Sequence, residues 1–304
     1  MYKTAHITAV LLLSCASAVA QTSPFLDFVK QRVLREPSRP GVQRASFDSI
    51  CSIERSPLAR RVFFEYGSMF ASTTDVRLPY NCIFSESDEV AEFQARLKTR
   101  RSRFGSTEIE LQAAAMEELE KARMEAAELG LRITPLDGAI AGRRSYDDTV
   151  RIWNSRFHRA LEFWVGKGKI PVDDARKARL APIQKQVDMV VAWEEKGYYF
   201  STGFSKSIFY SVAPPGTSQH LSLLAFDVVE AGNPAVRRLM NKYGWFQTIR
   251  TDQPHFTFLG VAESELPRRG LKNIFHQGNS YWVPNADSRT VVARNTPMII
   301  SPRD

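Results

Sequence analysis

The chain has 304 residues, 43% hydrophobic and 24% charged, with 16 Gly and 16 Pro, a globular composition that excludes collagen-like, coiled-coil and wholly disordered classes. The only long uncharged apolar run lies at the extreme N-terminus, which excludes a polytopic membrane protein. A formal charge of +8 favours anionic neighbours, but its plainer reading is a basic secreted protein with no nucleic-acid role.

Residues 1–20 carry Lys3, the apolar run Ala9 to Leu13 and the small-residue end Ala18-Val19-Ala20, the pattern of a secretory signal peptide cut before Gln21. Leu12-Leu13-Ser14-Cys15 offers a competing cut that resembles a bacterial lipoprotein signal and would leave a lipid anchor at Cys15. The expected location is the periplasm or cell envelope. Cleavage at Ala20 leaves Cys51 and Cys82, for which a disulfide is the default pairing in an oxidising compartment. Neither lies in a Cys-x-x-Cys pair.

Residues 21–106 read as a helical N-terminal extension, and residues 107–304 as the functional domain. From Ser87 the spacing of Val90, Phe93 and Leu97 predicts a helix, ended by the basic cluster Lys98, Arg100, Arg101 and Arg103. Thr107 with Glu110 matches a capping box and predicts a long helix that runs to Gly130. Leu131, Ile133 and the stretch 139–142 suggest a short strand and turn. Ser145 with Asp148 opens the next helix, with Val150, Trp153, Phe157, Leu161 and Trp164 on one face and His158 at its boundary. A further helix is expected over Asp173 to Lys196, stopped by Gly197.

The texture then changes. Leu223 to Val229 is an apolar strand candidate, Asn233-Pro234 caps a short helix that Gly244 ends, and His255 to Leu259 alternates. In a strand His255, Thr257 and Leu259 share one face, while Phe256 and Phe258 take the other. Helices first and strands later predict an α+β fold, with helices packed on a small antiparallel sheet.

The densest set of metal-capable side chains is His220, Asp227, Asp252 and His255. Two imidazoles and a carboxylate suit zinc with one open position, the pattern of a catalytic site. If the strands bearing Asp227 and His255 are neighbours, these two and His220 converge from one face, and Asp252 is left as a nearby carboxylate base. Lys206 reads as a surface lysine, and His276 and Trp282 carry no assigned role.

Ser218-Gln219-His220-Leu221-Ser222-Leu223-Leu224-Ala225-Phe226-Asp227 resembles the Ser-x-His-x-x-Gly-x-Ala-x-Asp signature of the D-Ala-D-Ala carboxypeptidase and dipeptidase family of zinc metallopeptidases, relatives of lysostaphin-type enzymes and of the hedgehog signalling fold. Asp252-Gln253-Pro254-His255-Phe256 is similar to the family's Glu-x-Trp-His motif, and Ala141-Gly142-Arg143-Arg144-Ser145-Tyr146 to its Ser-Gly-Tyr-Arg-Ser motif. The resemblance implies Zn2+ on His220, Asp227 and His255, Asp252 in place of the catalytic Glu, and Arg144 with Ser218 on the substrate. It further implies peptidoglycan stem peptides as partners. The departures are Asp252 for Glu, Pro254 for Trp, Leu223 for Gly and Arg143 for Tyr, and they open the alternative of a non-catalytic relative that binds wall peptide or a protein partner.

Overall fold

A computed structural model describes residues 21–35, 46–287 and 289–290. The expected signal segment, Cys15 and both cleavage points lie outside the described residues. The fold is α+β: helices surround small antiparallel sheets, one of which carries Asp227 and His255.

Strand β1 (Gln21–Thr22) pairs with the last strand, and helix α1 (Pro24–Arg35) follows it. Two short helices come next, α2 (Phe47–Ile50) and α3 (Pro57–Tyr66), started by Ser46 and Ser56, whose hydroxyls accept from the amides of Ser49 and Ala59. The Cys51–Cys82 disulfide is formed, with a Cα–Cα separation of 5.2 Å. Phe25, Phe63 and Phe70 from this region share one hydrophobic core with Leu111, Phe226, Trp245 and Phe256, so the N-terminal segment is packed into the sheet-bearing body.

Helix α4 (Ser87–Ala95) ends before the basic cluster, which the structure places elsewhere than expected. Arg100, Arg101 and Arg103 lie in β2 (Thr99–Phe104), and the anticipated capping box is the start of β3 (Thr107–Gln112), its antiparallel partner. Alternation decides the outcome: Ile109 and Leu111 are fully buried while Glu108 is exposed, and Gly105 turns the chain at φ +62°. Arg101 then faces Glu108 and Glu110 across the hairpin. The boundary drawn at residue 107 therefore falls inside one hairpin.

Helix α5 (Ala113–Glu128) stops ahead of Gly130, which sits at φ +68°. Helix α6 (Tyr146–Gly166) opens with the full Ser145–Asp148 capping box. The single helix expected over 173–196 is two, α7 (Val172–Leu180) and α8 (Ile183–Glu194), because Pro182 cannot continue a helix and pushes Ala181 to ψ 147°. Helices α6 to α8 enclose a separate aromatic core that includes Trp153, Phe157 and Phe200.

Strand β4 (Ala225–Asp227) precedes helix α9 (Pro234–Lys242), capped by Asn233 as expected, and strands β5 (Trp245–Phe246) and β6 (His255–Phe258) complete a three-stranded sheet in the order β4-β6-β5. Its register opposes Asp227 to His255 and Phe226 to Phe256. The phenylalanines point into the core, where Phe258 packs against Trp245, and the polar partners share the other face. Strands β7 (Leu271–His276) and β8 (Asn279–Pro284) form a hairpin not anticipated from sequence, and β9 (Arg289–Thr290) returns to β1. Among the described residues no helix is long and apolar enough to cross a membrane.

Candidate metal centre

The turn Gln219–Ser222 delivers His220 to the polar face of the sheet just ahead of β4. Leu223, which stands where the resembling signature has Gly, closes that turn in the left-handed region at φ 56°, ψ 30°. Such a backbone favours glycine, since a side chain there costs roughly 1–2 kcal/mol. Complete burial of Leu223 offsets that cost, so the chain keeps the conformation without the glycine.

His220 Nε2, His255 Nδ1 and Asp227 Oδ1 converge. The nitrogens are 3.2 Å apart, and they lie 3.3 Å and 3.0 Å from the carboxylate oxygen. A tetrahedral ion with donors at about 2.1 Å needs ligand atoms about 3.4 Å apart, so three corners of such a site are already set. The outer contacts leave lone pairs at all three atoms. His220 Nδ1 donates to the Gly142 carbonyl at 3.0 Å, and His255 Nε2 donates to Gln219 Oε1 at 2.9 Å. Since both acceptors are oxygens without a proton, each imidazole presents its bare nitrogen to the centre. Three acceptors facing one another without a donor among them fit a cation, and the donor set of two imidazoles and one carboxylate suits Zn2+.

Electrostatics agree with this geometry. Burial, and next the Arg144 guanidinium, lower His220 to about 4 against the pull of Asp227, so the ring is neutral at ordinary pH. Burial would raise Asp227, but it is held well below the usual carboxylate range, and with the imidazole lone pairs turned inward it is the Arg144 guanidinium on Oδ2 that keeps it ionised. Both groups are thus in the state a metal requires.

Gly142 lets its segment approach closely, since a Cβ there would meet Ile109 Cγ2 at 2.9 Å and the Glu110 carbonyl at 3.1 Å. Arg144 lies one residue before the α6 cap. Its Nη2 donates to Asp227 Oδ2 at 2.6 Å and its Nε to the Ile140 carbonyl at 3.0 Å. The cation expected to meet substrate is thus also a partner of the ligating carboxylate. Arg143, in the place of the family's Tyr, bonds Gln94 and Glu110.

Asp252 stands apart from the three ligands. It is exposed to solvent and faces His255, Asp227 and Arg144 without a side-chain hydrogen bond among the described residues. Crowding by protein atoms raises its pKa, with His255 opposing and Asp227 adding, and solvent screens much of that effect. Pro254 places its carbonyl on the Val228 amide at 2.9 Å, which ties the Asp252 turn to the end of β4. Ser218 is buried at the start of the histidine turn. Lys206 is exposed in a turn that its amide closes on Ser201, and Trp282 donates to Glu263.

No family model and no curated protein matches the chain. Among solved structures it is similar to the LD-carboxypeptidase LdcB, whose structure concerns peptidoglycan recognition, at 17% identity and a TM-score of 0.30. That match covers 52% of this chain and 64% of LdcB, so the chain spans less than two thirds of that relative. It is also similar to the vancomycin-resistance D,D-pentapeptidase VanY, solved with Zn(II), at 14% identity and a TM-score of 0.30, over 55% of this chain and 82% of VanY.

Gln219 was not singled out from sequence, although it sits between Ser218 and His220 inside the signature. Its partners Tyr66, Ser68 and Thr257 are remote in sequence, and no local pattern joins them.

Proposed function

We propose that the protein is an exported zinc peptidase that hydrolyses D-Ala-containing peptidoglycan stem peptides. The observation that carries this reading is the convergence of His220 Nε2, Asp227 Oδ1 and His255 Nδ1, each with its lone pair inward, beside the Asp252 carboxylate, which makes no side-chain hydrogen bond among the described residues. The three-motif resemblance supplies the substrate class.

His220, Asp227 and His255 would hold zinc, which would supply a Lewis acid for the scissile carbonyl and acidify water to a pKa of about 7. Asp252 takes a proton from the attacking water and returns it to the departing amine, a task that suits an exposed carboxylate facing the centre. Arg144 holds Asp227 in place through Nη2, and the remainder of its fork meets the substrate's terminal carboxylate. Ser218, the buried cap residue of the same turn, is the further substrate contact that the resemblance implies. The signal-like N-terminus supports export, and residues 21–106 act as part of the domain that bears the site.

The second reading, a zinc-containing binder of wall peptide, is favoured by one observation. Asp252 is one methylene shorter than the Glu of the resembling motif, and it does not join the group of ligand atoms that lie within 4.8 Å of one another. Amino-acid release from purified stem peptides, measured with zinc and with chelator, decides between them. Release that chelator stops and Asp252→Ala abolishes, while zinc stays bound, is the result expected of the enzyme. Bound zinc with no release from any wall peptide is the result expected of the binder.

A further inference from the structure

Gln219 is 1% exposed, and all four of its hydrogen-bonding positions are filled. Its Nε2 donates to the Tyr66 carbonyl at 2.7 Å and to Ser68 Oγ at 2.8 Å, and its Oε1 accepts from His255 Nε2 at 2.9 Å and from Thr257 Oγ1 at 2.5 Å. Ser68 Oγ donates to Thr248 Oγ1 at 2.6 Å, and Thr248 and Thr257 hydroxyls are 2.6 Å apart. Since Thr257 spends its proton on Gln219, Thr248 must donate to Thr257. The contacts close a ring that runs in one direction, from the Gln219 amide through Ser68, Thr248 and Thr257 back to the Gln219 carbonyl.

The ring alone fixes a sense of rotation, and the Tyr66 carbonyl fixes which sense. A backbone carbonyl only accepts, so a flipped Gln219 amide would set oxygen against oxygen there and leave two buried donors facing His255 and Thr257. With the amide locked, Oε1 must face His255, Nε2 of that ring must carry the proton, and in the neutral ring Nδ1 is bare.

We propose that Gln219 is the positioning residue of His255, and that Tyr66 and Ser68 from the N-terminal segment set the tautomer of a metal ligand by locking its amide. This rests on the metal-site reading above, and it gives residues 21–106 a role at the centre. Outer partners of a ligating imidazole typically change metal affinity by about 10- to 100-fold.

The test uses the full mature chain with selectively labelled histidines. Nitrogen NMR of the metal-free wild type should show His255 as the Nε2–H tautomer, and an Nδ1–H tautomer there overturns the inference. Gln219→Met, which keeps length but removes both hydrogen-bonding functions, should shift that tautomer and weaken zinc binding about 10- to 100-fold in a chelator competition. Gln219→Glu, protonated on the oxygen that meets the Tyr66 carbonyl, keeps an acceptor toward His255 and should retain the Nε2–H tautomer. It covers the case in which Gln219→Met does not fold, and loss of that tautomer in it counts against the proposal. Wild-type zinc binding through His220, Asp227 and His255 with an unchanged tautomer and affinity in Gln219→Met overturns this inference alone. Failure of the wild type to bind zinc overturns the metal reading and this inference together.

Discussion

Asp227 and His255 oppose each other across β4 and β6, and this register brings Asp227 Oδ1 to 3.0 Å from His255 Nδ1. The other oxygen, Oδ2, accepts from Arg144 at 2.6 Å. Sheet pairing positions the ligand pair, and a residue from the start of α6 finishes the orientation of the carboxylate. Arg144→Ala removes this support in addition to any substrate contact. Zinc affinity should fall about 10- to 100-fold, and chemical denaturation should show a less stable metal-free protein, because a partly buried carboxylate loses its charged partner. Unchanged zinc affinity with impaired turnover would restrict Arg144 to the substrate.

Leu223 yields a prediction with an inverted sign. In an ordinary helix or strand Gly is worse than Ala by roughly 0.5–1 kcal/mol. At φ 56° the order reverses, because both substitutions lose the buried leucine and only Gly sheds the left-handed strain. Urea titration should find Leu223→Gly more stable than Leu223→Ala by about 1 kcal/mol, with both below wild type by a few kcal/mol, as buried Leu→Ala changes typically are. Leu223→Ala equal to or better than Leu223→Gly would contradict the backbone account.

The chelated protein should lose stability on acidification in a defined window. His220 is held neutral to about 4 when folded but titrates near 6.5 when unfolded, so both states are neutral above 6.5 and only the unfolded chain gains the proton between the two values. The His220 contribution therefore falls from pH 6.5 to about 4 and levels below that. The His220 contribution is roughly 3 kcal/mol. Asp227, held low, adds its loss only further down, below the usual carboxylate range. Unfolding free energies of the metal-free protein across this range, compared with His220→Gln, check it. Identical pH profiles for the two proteins would be inconsistent with a buried neutral imidazole.

The disulfide closes a sequence separation of 31 residues, for which loop entropy assigns about 3–4 kcal/mol. Cys51→Ala with Cys82→Ala should lower the denaturation midpoint accordingly. The effect should reach the metal region, because Phe84, two residues after Cys82, bonds its amide to the Gly216 carbonyl on the approach to His220. Hydrogen exchange at Phe84 should quicken in the double variant, and an unchanged rate there would confine the disulfide to local stability.

Periodicity carried the reading of the sheet well. Alternation in His255 to Leu259 separates the polar face from Phe256 and Phe258, and the pairing with Asp227 follows once β4 and β6 are neighbours. The same logic failed at Thr107 to Gln112, where a capping-box match masked the alternation of Ile109 and Leu111. A Ser/Thr-x-x-Glu pattern is satisfied by a strand that places Thr and Glu on its surface as readily as by a helix start. The two-helix break at Pro182 was legible in principle, since proline acts on the residue before it. Gln219 was not, because its partners Thr257, Ser68 and Tyr66 lie 38 to 153 residues away and only the folded chain gathers them.

Anomalous diffraction at the zinc edge from crystals of the zinc-soaked mature protein tests the metal centre most directly. One strong peak is expected, bonded to His220 Nε2, Asp227 Oδ1 and His255 Nδ1 at about 2.0–2.2 Å, with a fourth position open toward Asp252. A peak at other side chains, or none at saturating zinc, would contradict it.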